Sequence, residues 1–421
     1  MNQNQFRGSL FEFHRNTVFN ANEFFNNSAG VERAPLLRHQ FGGRIGGPIF
    51  RDKTFFFFGY QQTRESKGVS VNRTVYTAEA RQGIFRFLDN IQAIPERVAA
   101  NPGLIRSVNL MQCNATVQAA LGRPCVDSRF NLTTPSTPDP FIAGQVFGAI
   151  PLPNNFTVGD GLNTGGYRFN ASVRTVEHLP SFRLDHRFNE KHAFFGTVNY
   201  LDRDIQGVFI NDREPIYPAL GPLGNRVTHS RGFSGTFTST FSPTLINEVR
   251  AGMVGGENAF LINQPFSTPF NLDLNTISDP YSVGNGTEIR DNRTVNVRDT
   301  LTWVRGNHQI KTGGEFRDRW LDTRTNDLNI PFGDINFNRT DNAPGFDATS
   351  LRRLANGAVV TTDLNTALDL MNNLVGAIGS VTRRYNVTSI DSGFVPDEPT
   401  RGFFQSREFD AFFQDTWRSI M

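Results

Sequence analysis

Residues 293–320, RTVNVRDTLTWVRGNHQIKTGGEFRDRW, describe two strands joined by a tight turn. Val295, Val297, Leu301 and Trp303 recur at every second position before Arg305-Gly306-Asn307. Beyond that turn Ile310, Thr312, Gly314 and Phe316 face away from Gln309, Lys311, Glu315, Arg317 and Arg319. Successive strand side chains point to opposite faces, so this period places an apolar medium on one side and water on the other. Sustained over about ten residues per arm, it is the pattern of a membrane barrel hairpin. One residue breaks it. Asp299 falls on the apolar face, which predicts either a bulge that reverses the register there or a position at the membrane interface.

The same rhythm recurs upstream. Phe182, Leu184 and Phe188 alternate with Arg183, Asp185 and Arg187, and after Asn189-Glu190-Lys191 the chain resumes with Phe194, Val198 and Tyr200 on one face. Phe233, Phe237 and Phe241 alternate with serine and threonine, then Leu245, Val249, Ala251 and Met253 with Glu248 and Arg250. Eight strands are predicted, at 53–63, 180–188, 192–203, 227–241, 244–254, 293–304, 307–320 and 407–417. Their connections alternate between short (189–191, 242–244, 305–307) and long (204–226, 255–291, 321–406). A sandwich has no reason to sort its loops this way, whereas an outer-membrane barrel puts short turns inside and long loops outside. The fold class is therefore all-β: a partial transmembrane antiparallel β-barrel of about eight long strands, an open curved sheet with long extracellular loops.

Residues 64–179 read as one large surface loop, with a hairpin-like stretch at Val69–Thr77 and short helices near 84–88 and 105–110. Leu364, Leu368, Met371 and Leu374 give residues 363–375 the spacing of an amphipathic helix within the longest loop, capped by Thr362 or Asp363 and suited to packing. Ahead of the strands, residues 6–50 show no sustained period beyond a short helix around Ala21–Phe25. Gly42, Gly43, Gly46, Gly47 and Pro48 then form an elbow that reads as a hinge feeding the first strand, whose four phenylalanines, Phe55–Phe58, make it apolar on both faces. The elbow is not a phosphate loop, since neither Lys-Ser/Thr nor a helix pattern follows it.

Composition agrees with this class. Forty phenylalanines stand beside five methionines among 421 residues, and 42 basic residues against 40 acidic leave a charge of +2 spread along the chain. Nothing there resembles a nucleic-acid footprint. No run of about 18 apolar residues marks a transmembrane helix, which a barrel does not need. The opening MNQNQFRGSL lacks a signal-peptide pattern. Cys113 and Cys125, in a loop-like region, are expected to close a disulfide in an exported chain, with two free thiols as the alternative.

Several ordered motifs carry a family resemblance. Phe6-Arg7-Gly8-Ser9-Leu10-Phe11-Glu12-Phe13-His14-Arg15-Asn16, then Gln40-Phe41-Gly42-Gly43, Gly46-Gly47-Pro48 and Asp52-Lys53-Thr54-Phe55-Phe56-Phe57 resemble the plug-to-barrel junction of Oar-like TonB-dependent outer-membrane receptors. Arg183–Phe188, Thr300–Trp303 with Arg305–His308, Lys311–Phe316 and Phe412–Trp417 follow in the family's order. The resemblance implies a carboxy-terminal plug remnant at 1–50 and the first part of a barrel at 51–421, in a wall of about 22 strands. It implies an outer-membrane location, lipid contact, and energy-coupled uptake of an unidentified solute driven by a TonB-type inner-membrane energy transducer, whose contact segment is expected outside this sequence. Alone, the chain is expected to transport nothing, because an open wall leaves two unpaired edges in lipid.

The lumen-facing candidates for contact with plug or solute are Arg183, Asp185, Arg187, Glu248, Arg250, Lys311, Glu315, Arg317 and Arg319. No enzyme signature appears: there is no G-x-S-x-G, no H-E-x-x-H and no P-loop, and no cofactor is expected. Seven scattered histidines include His186 and His192, which a hairpin could bring together, but a metal site needs three or four converging ligands. Two rival readings are a barrel that displays its loops for adhesion without transport, and a soluble β-rich carbohydrate-binding or hydrolytic protein with paired carboxylates.

Overall fold

The computed structural model describes residues 4–22, 24, 27, 32–88, 105–111, 126–127, 132–133, 137–207, 216–262, 271–274, 276–278, 286–325, 332–334, 361–378, 380–383, 385–396 and 398–418. Ten strands form one sheet in chain order: β1 (Arg7–Asn16), β2 (Leu36–Phe50), β3 (Thr54–Tyr76), β4 (Thr164–Arg187), β5 (His192–Gln206), β6 (Gly224–Ser242), β7 (Leu245–Ile262), β8 (Glu288–Arg305), β9 (His308–Thr325) and β10 (Thr400–Trp417). Every pairing in this sheet is antiparallel between sequence neighbours. Among the described residues β1 and β10 are each bonded on one side only.

The eight expected strands are all present, most of them longer than expected. β3 runs on through the supposed hairpin at Val69–Thr77, because Thr54–Tyr76 pairs without interruption along Thr164–His186. The stretches at 84–88 and 105–110, expected as helices, instead pair with each other as strands Ile84–Leu88 and Ile105–Asn109. Phe85 and Phe87 are both buried there, which is period two and not helical spacing. The helix expected around Ala21–Phe25 lies largely outside the described residues.

Two further strands correct the reading of the amino-terminal segment. Residues 7–16 and 36–50 are not irregular chain, and the boundary expected between 50 and 51 falls inside the β2–β3 hairpin of a single sheet. The hinge reading fails with it: Gly42, Gly43, Gly46, Gly47 and Pro48 lie within β2, and none of the four glycines has a positive φ. Their smallness serves close approach. A Cβ on Gly43 would stand 2.6 Å from Leu10 Cδ2, and one on Gly47 2.5 Å from Phe6 Cδ1, so neighbouring side chains occupy the space the glycines leave. Pro48 is tolerated inside the sheet because the register shifts between Pro48 and Phe50, a bulge where no ladder donor is needed. The reversal itself is made at Arg51–Lys53, with Asp52 at φ 60°.

Connections are sorted by end. Residues 51–53, 188–191, 243–244 and 306–307 close one end of the sheet; 17–35, 77–163, 207–223, 263–287 and 326–399 leave the other. The long connections were expected to be surface loops, and here the structure differs. Tyr76, Phe85, Phe147, Tyr217, Leu274 and Leu374 share one buried cluster, so the connections after β3, β5, β7 and β9 pack together at the ends of the strands. The helix expected at 363–375 is α1 (Thr361–Val375), and it buries Ala367, Leu370, Met371 and Leu374 in that cluster. Burying several such side chains, each stabilising by roughly 1.5–3 kcal/mol, holds these segments to one another and to the outer end of β3, which supplies Val75 and Tyr76.

Candidate functional site

Antiparallel register assigns every side chain of the sheet to one of two faces, since residues directly opposite share a face. On one face a row runs Phe58, Phe182, Val198, Phe233, Met253, Val295 across six strands and ends in the ion pair of Asp318 and Arg407 on β9 and β10, and the next row toward the short turns runs Phe56, Leu184, Gly196, Gly235, Ala251, Val297, Phe316, Phe409. Trp303 and Trp417 lie on this face beside the short turns; Tyr60, Tyr200 and Trp320 lie on it toward the long connections. One row further out it becomes polar: Gln62, His178, Asp202, His229, Glu257, Asp291 and Asp322. An apolar band edged by aromatic residues, with charge beyond it, matches a strand crossing of about 9–11 residues.

Asp299 keeps its place on this apolar face. β8 pairs with β7 and β9 without a register shift, so of the two alternatives the bulge is not the one found. Asn247 donates its side-chain amide to Asp299 Oδ1 at 2.6 Å, and Gly314, opposite, contributes no side chain.

The opposite face carries the nominated charges. Arg183, Asp185, Arg187, Glu248, Arg250, Lys311, Glu315, Arg317 and Arg319, nominated from alternation, all fall on it by register. Several are joined. Arg183 donates twice to Asp185, Nε to Oδ2 at 2.8 Å and Nη2 to Oδ1 at 2.6 Å, and its guanidinium lies 4.8 Å from the centre of the Phe195 ring. Arg250 pairs with Glu248 at 2.7 Å. Arg317 bridges Glu315 at 2.5 Å and Glu408 at 3.1 Å, and Glu408 also accepts from Arg319. Arg250 stands directly opposite Arg298, a repulsive arrangement that Glu248 relieves on one side while Arg298 lies over the Phe412 ring at 5.2 Å.

Residues of this face that were not nominated include Glu408, Arg298, Arg7 and Arg44. Glu408 and Arg298 carried a signal, since both lie in expected strands at charge-bearing positions of the alternation. Arg7 and Arg44 carried none, because the segment that holds them reads as irregular until β1 and β2 are seen paired. Cys113 and Cys125 lie outside the described residues. His186 and His192 are not brought together as ligands: His186 Nδ1 is 2.8 Å from Thr54 Oγ1 and His192 Nδ1 is 3.1 Å from Ser239 Oγ. Among the described residues no group of three histidine, cysteine or acidic side chains converges on one point, and no helix is long and apolar enough to cross a membrane.

Beyond the strand ends the loop body is held by a polar framework. Asn373 donates to Tyr76 Oη at 2.7 Å and to the Leu274 carbonyl at 3.1 Å, and Thr276 donates to Asp369 at 2.7 Å. The Arg81 guanidinium donates to the carbonyls of Tyr76, Phe147, Ile150 and Pro151, stitching three segments. Burial pushes the Tyr76 phenol above its usual range and the Asp369 carboxyl upward. Asp363, at the start of α1, is pushed up to about 6 by burial first and by the nearby charge of Asp160 second, and its Oδ2 has no hydrogen-bond partner.

Sequence and structure comparisons bear on this geometry. A family model described as outer membrane beta barrel domain matches residues 3–420. No curated protein matches. Similar solved structures include the ferric-catecholate import receptor Fiu of Escherichia coli in its open form (10% identity, TM-score 0.38, 97% of this chain and 47% of that one). The Escherichia coli outer membrane transporter YddB is another (8% identity, TM-score 0.37, 78% of this chain and 33% of that one). The chain thus spans between a third and a half of the length of these proteins.

Proposed function

Because the chain belongs to the outer membrane beta-barrel domain family and resides in the outer membrane, we propose that it builds part of the wall of a TonB-dependent receptor, with the charged face turned to the solute path and the apolar face to lipid. The observation that carries this reading is the division of the sheet: nine charged side chains on one face, aromatic-edged apolar rows on the other, and every long connection at one end. The open edges at β1 and β10 add to it. Unpaired backbone groups in hydrocarbon cost several kcal/mol each, so both edges pair with further strands in the assembled wall. Uptake is the role, not catalysis, and the driving partner is a TonB-type inner-membrane energy transducer.

The test is crosslinking in intact cells between the receptor carrying these residues and that transducer, with the proton gradient intact and then collapsed. Crosslinks that depend on the gradient are expected. Their absence under both conditions, with the barrel correctly inserted, refutes energy coupling. A second reading has its own support in the packed loop body, which is more than a set of connections: a platform for adhesion. Replacing residues 326–399 by a short linker then abolishes binding to cells or matrix, whereas a transporter with that change stays inserted and coupled.

A further inference from the structure

We propose that a groove across β1 to β4 on the charged face binds a solute carrying a carboxylate on an apolar, planar body. This rests on the reading of that face as the solute path, and it names the class of solute. Register sets Arg7, Gly46, Phe57 and Arg183 in one row over four adjacent strands, with Ser9, Arg44, Gly59 and Ser181 in the next. Between them lies a groove of about 570 Å³, lined by Arg7, Arg44, Arg183, Asp185, Phe55 and Phe57 among others. That volume is in the range of small-molecule sites. Gly46 holds the floor open, since a Cβ there would stand 3.0 Å from the Phe56 carbonyl oxygen.

The charges do not cancel. Asp185 is the one carboxylate in the lining, and both of its oxygens are already taken by Arg183 at 2.6 and 2.8 Å. Arg44 commits its Nε to Ser9 Oγ at 2.9 Å, which fixes the guanidinium while leaving its terminal nitrogens to the groove. The Arg7 side chain makes no ion pair or hydrogen bond among the described residues, and Arg7 is exposed. Two guanidinium groups therefore face an opening with no protein carboxylate to meet them, and their planar forks match a carboxylate in bidentate geometry. Phe55 and Phe57 supply the second half of the specificity. They form an apolar wall beside the arginines, which a ring or a flat hydrocarbon covers and a bare inorganic oxyanion leaves wet.

The experiment is calorimetric titration of the purified full chain in detergent with 2-naphthoate, 2-naphthamide and inorganic phosphate. Naphthoate is expected to bind at least about tenfold more tightly than the amide, the worth of a charge-assisted hydrogen bond, and to weaken with added salt. Arg7→Gln and Arg44→Gln are each expected to lower naphthoate affinity about tenfold and leave amide binding unchanged, and Arg44→Lys to recover part of the loss. Far-UV circular dichroism and heat-modifiable migration check that each variant keeps its sheet, and the acid-to-amide ratio on the unaltered chain decides the matter where one does not. Equal binding of acid and amide overturns the proposal. So does arginine-dependent binding of phosphate tighter than that of naphthoate, or full affinity in folded Arg7→Gln and Arg44→Gln chains. Because the titration involves no transducer, a negative crosslinking result beside a positive titration rejects energy coupling alone, and the reverse pair of results rejects the groove alone.

Discussion

Leu374→Ala probes whether the long connections are one body. Leu374 is fully buried near the end of α1, and its carbonyl accepts from the Asp139 amide at 2.8 Å, so the residue joins the connection after β9 to the one after β3. Its cluster also holds Tyr217 and Leu274, from the connections after β5 and β7. Truncating a buried leucine removes its transfer free energy and leaves a cavity, together roughly 2–5 kcal/mol. The loop body has a small core of its own, so a loss of that size is a large share of what holds it folded. Limited proteolysis of the protein in micelles, with cleavage sites read by mass spectrometry over a temperature series, is the assay. Cleavage is expected to begin at lower temperature in 77–163, 207–223, 263–287 and 326–399 together, while the sheet keeps its heat-modifiable migration. Ile390→Ala, at a side chain with 101% relative exposure, is the control and is expected to change nothing. Early cleavage confined to 326–399 refutes the shared core, and an unchanged pattern refutes the packing of α1.

Three further outcomes follow from named side chains. Asp363, with its carboxyl raised to about 6 against an ordinary value near 4, favours folding when protonated, so the loop body loses stability as pH rises from about 4 through 6 and then levels off. Asp363→Asn is expected to flatten this dependence and to stabilise by about 1–3 kcal/mol at pH 8 with little change at pH 4, as read from proteolysis midpoints; a variant weaker than wild type at pH 8 contradicts the sign. Replacing Asp299 and Asn247 together by leucine is expected to raise stability in lipid by roughly 1–2 kcal/mol in denaturant titrations of vesicle-inserted protein, and a loss would place that face against water or protein. Glu408→Gln deprives Arg319 of its carboxylate partner, yet these side chains are exposed and screened, so no resolvable change is expected in the same titration; a clear loss of stability would mean that the network is covered in the assembled wall.

The alternation of Phe233, Phe237, Val249, Val297 and Phe316 with polar neighbours was readable because it is a property of single strands. Each apolar residue marks its own face, and a face once assigned at 293–320 propagates to its neighbours by register. That the nine nominated charged residues share one face follows from the same rule, and so does the sorting of short and long connections. β1 and β2 escaped it for a local reason: Gly42, Gly43, Gly46 and Gly47 carry no side chain to mark a face, and what suits Gly43 and Gly47 to a strand is the bulk of Leu10 and Phe6 beside them. The groove was hidden with them, since Arg7 and Arg44 become neighbours of Arg183 only once β1 and β2 join β3.

By itself the sequence determined the class of the protein, a strand-built outer-membrane wall, and which residues of each later strand share a face, because a period of two is imposed by the backbone on every strand alone. Only the tertiary structure decided that ten strands join the sheet, that Asp299 stays on the apolar face, and that Tyr76, Phe147, Tyr217, Leu274 and Leu374 meet in one core. Those outcomes depend on contacts between residues far apart in the chain, whose gain in burial has to exceed the entropy of closing the intervening loops, and no local pattern records that balance.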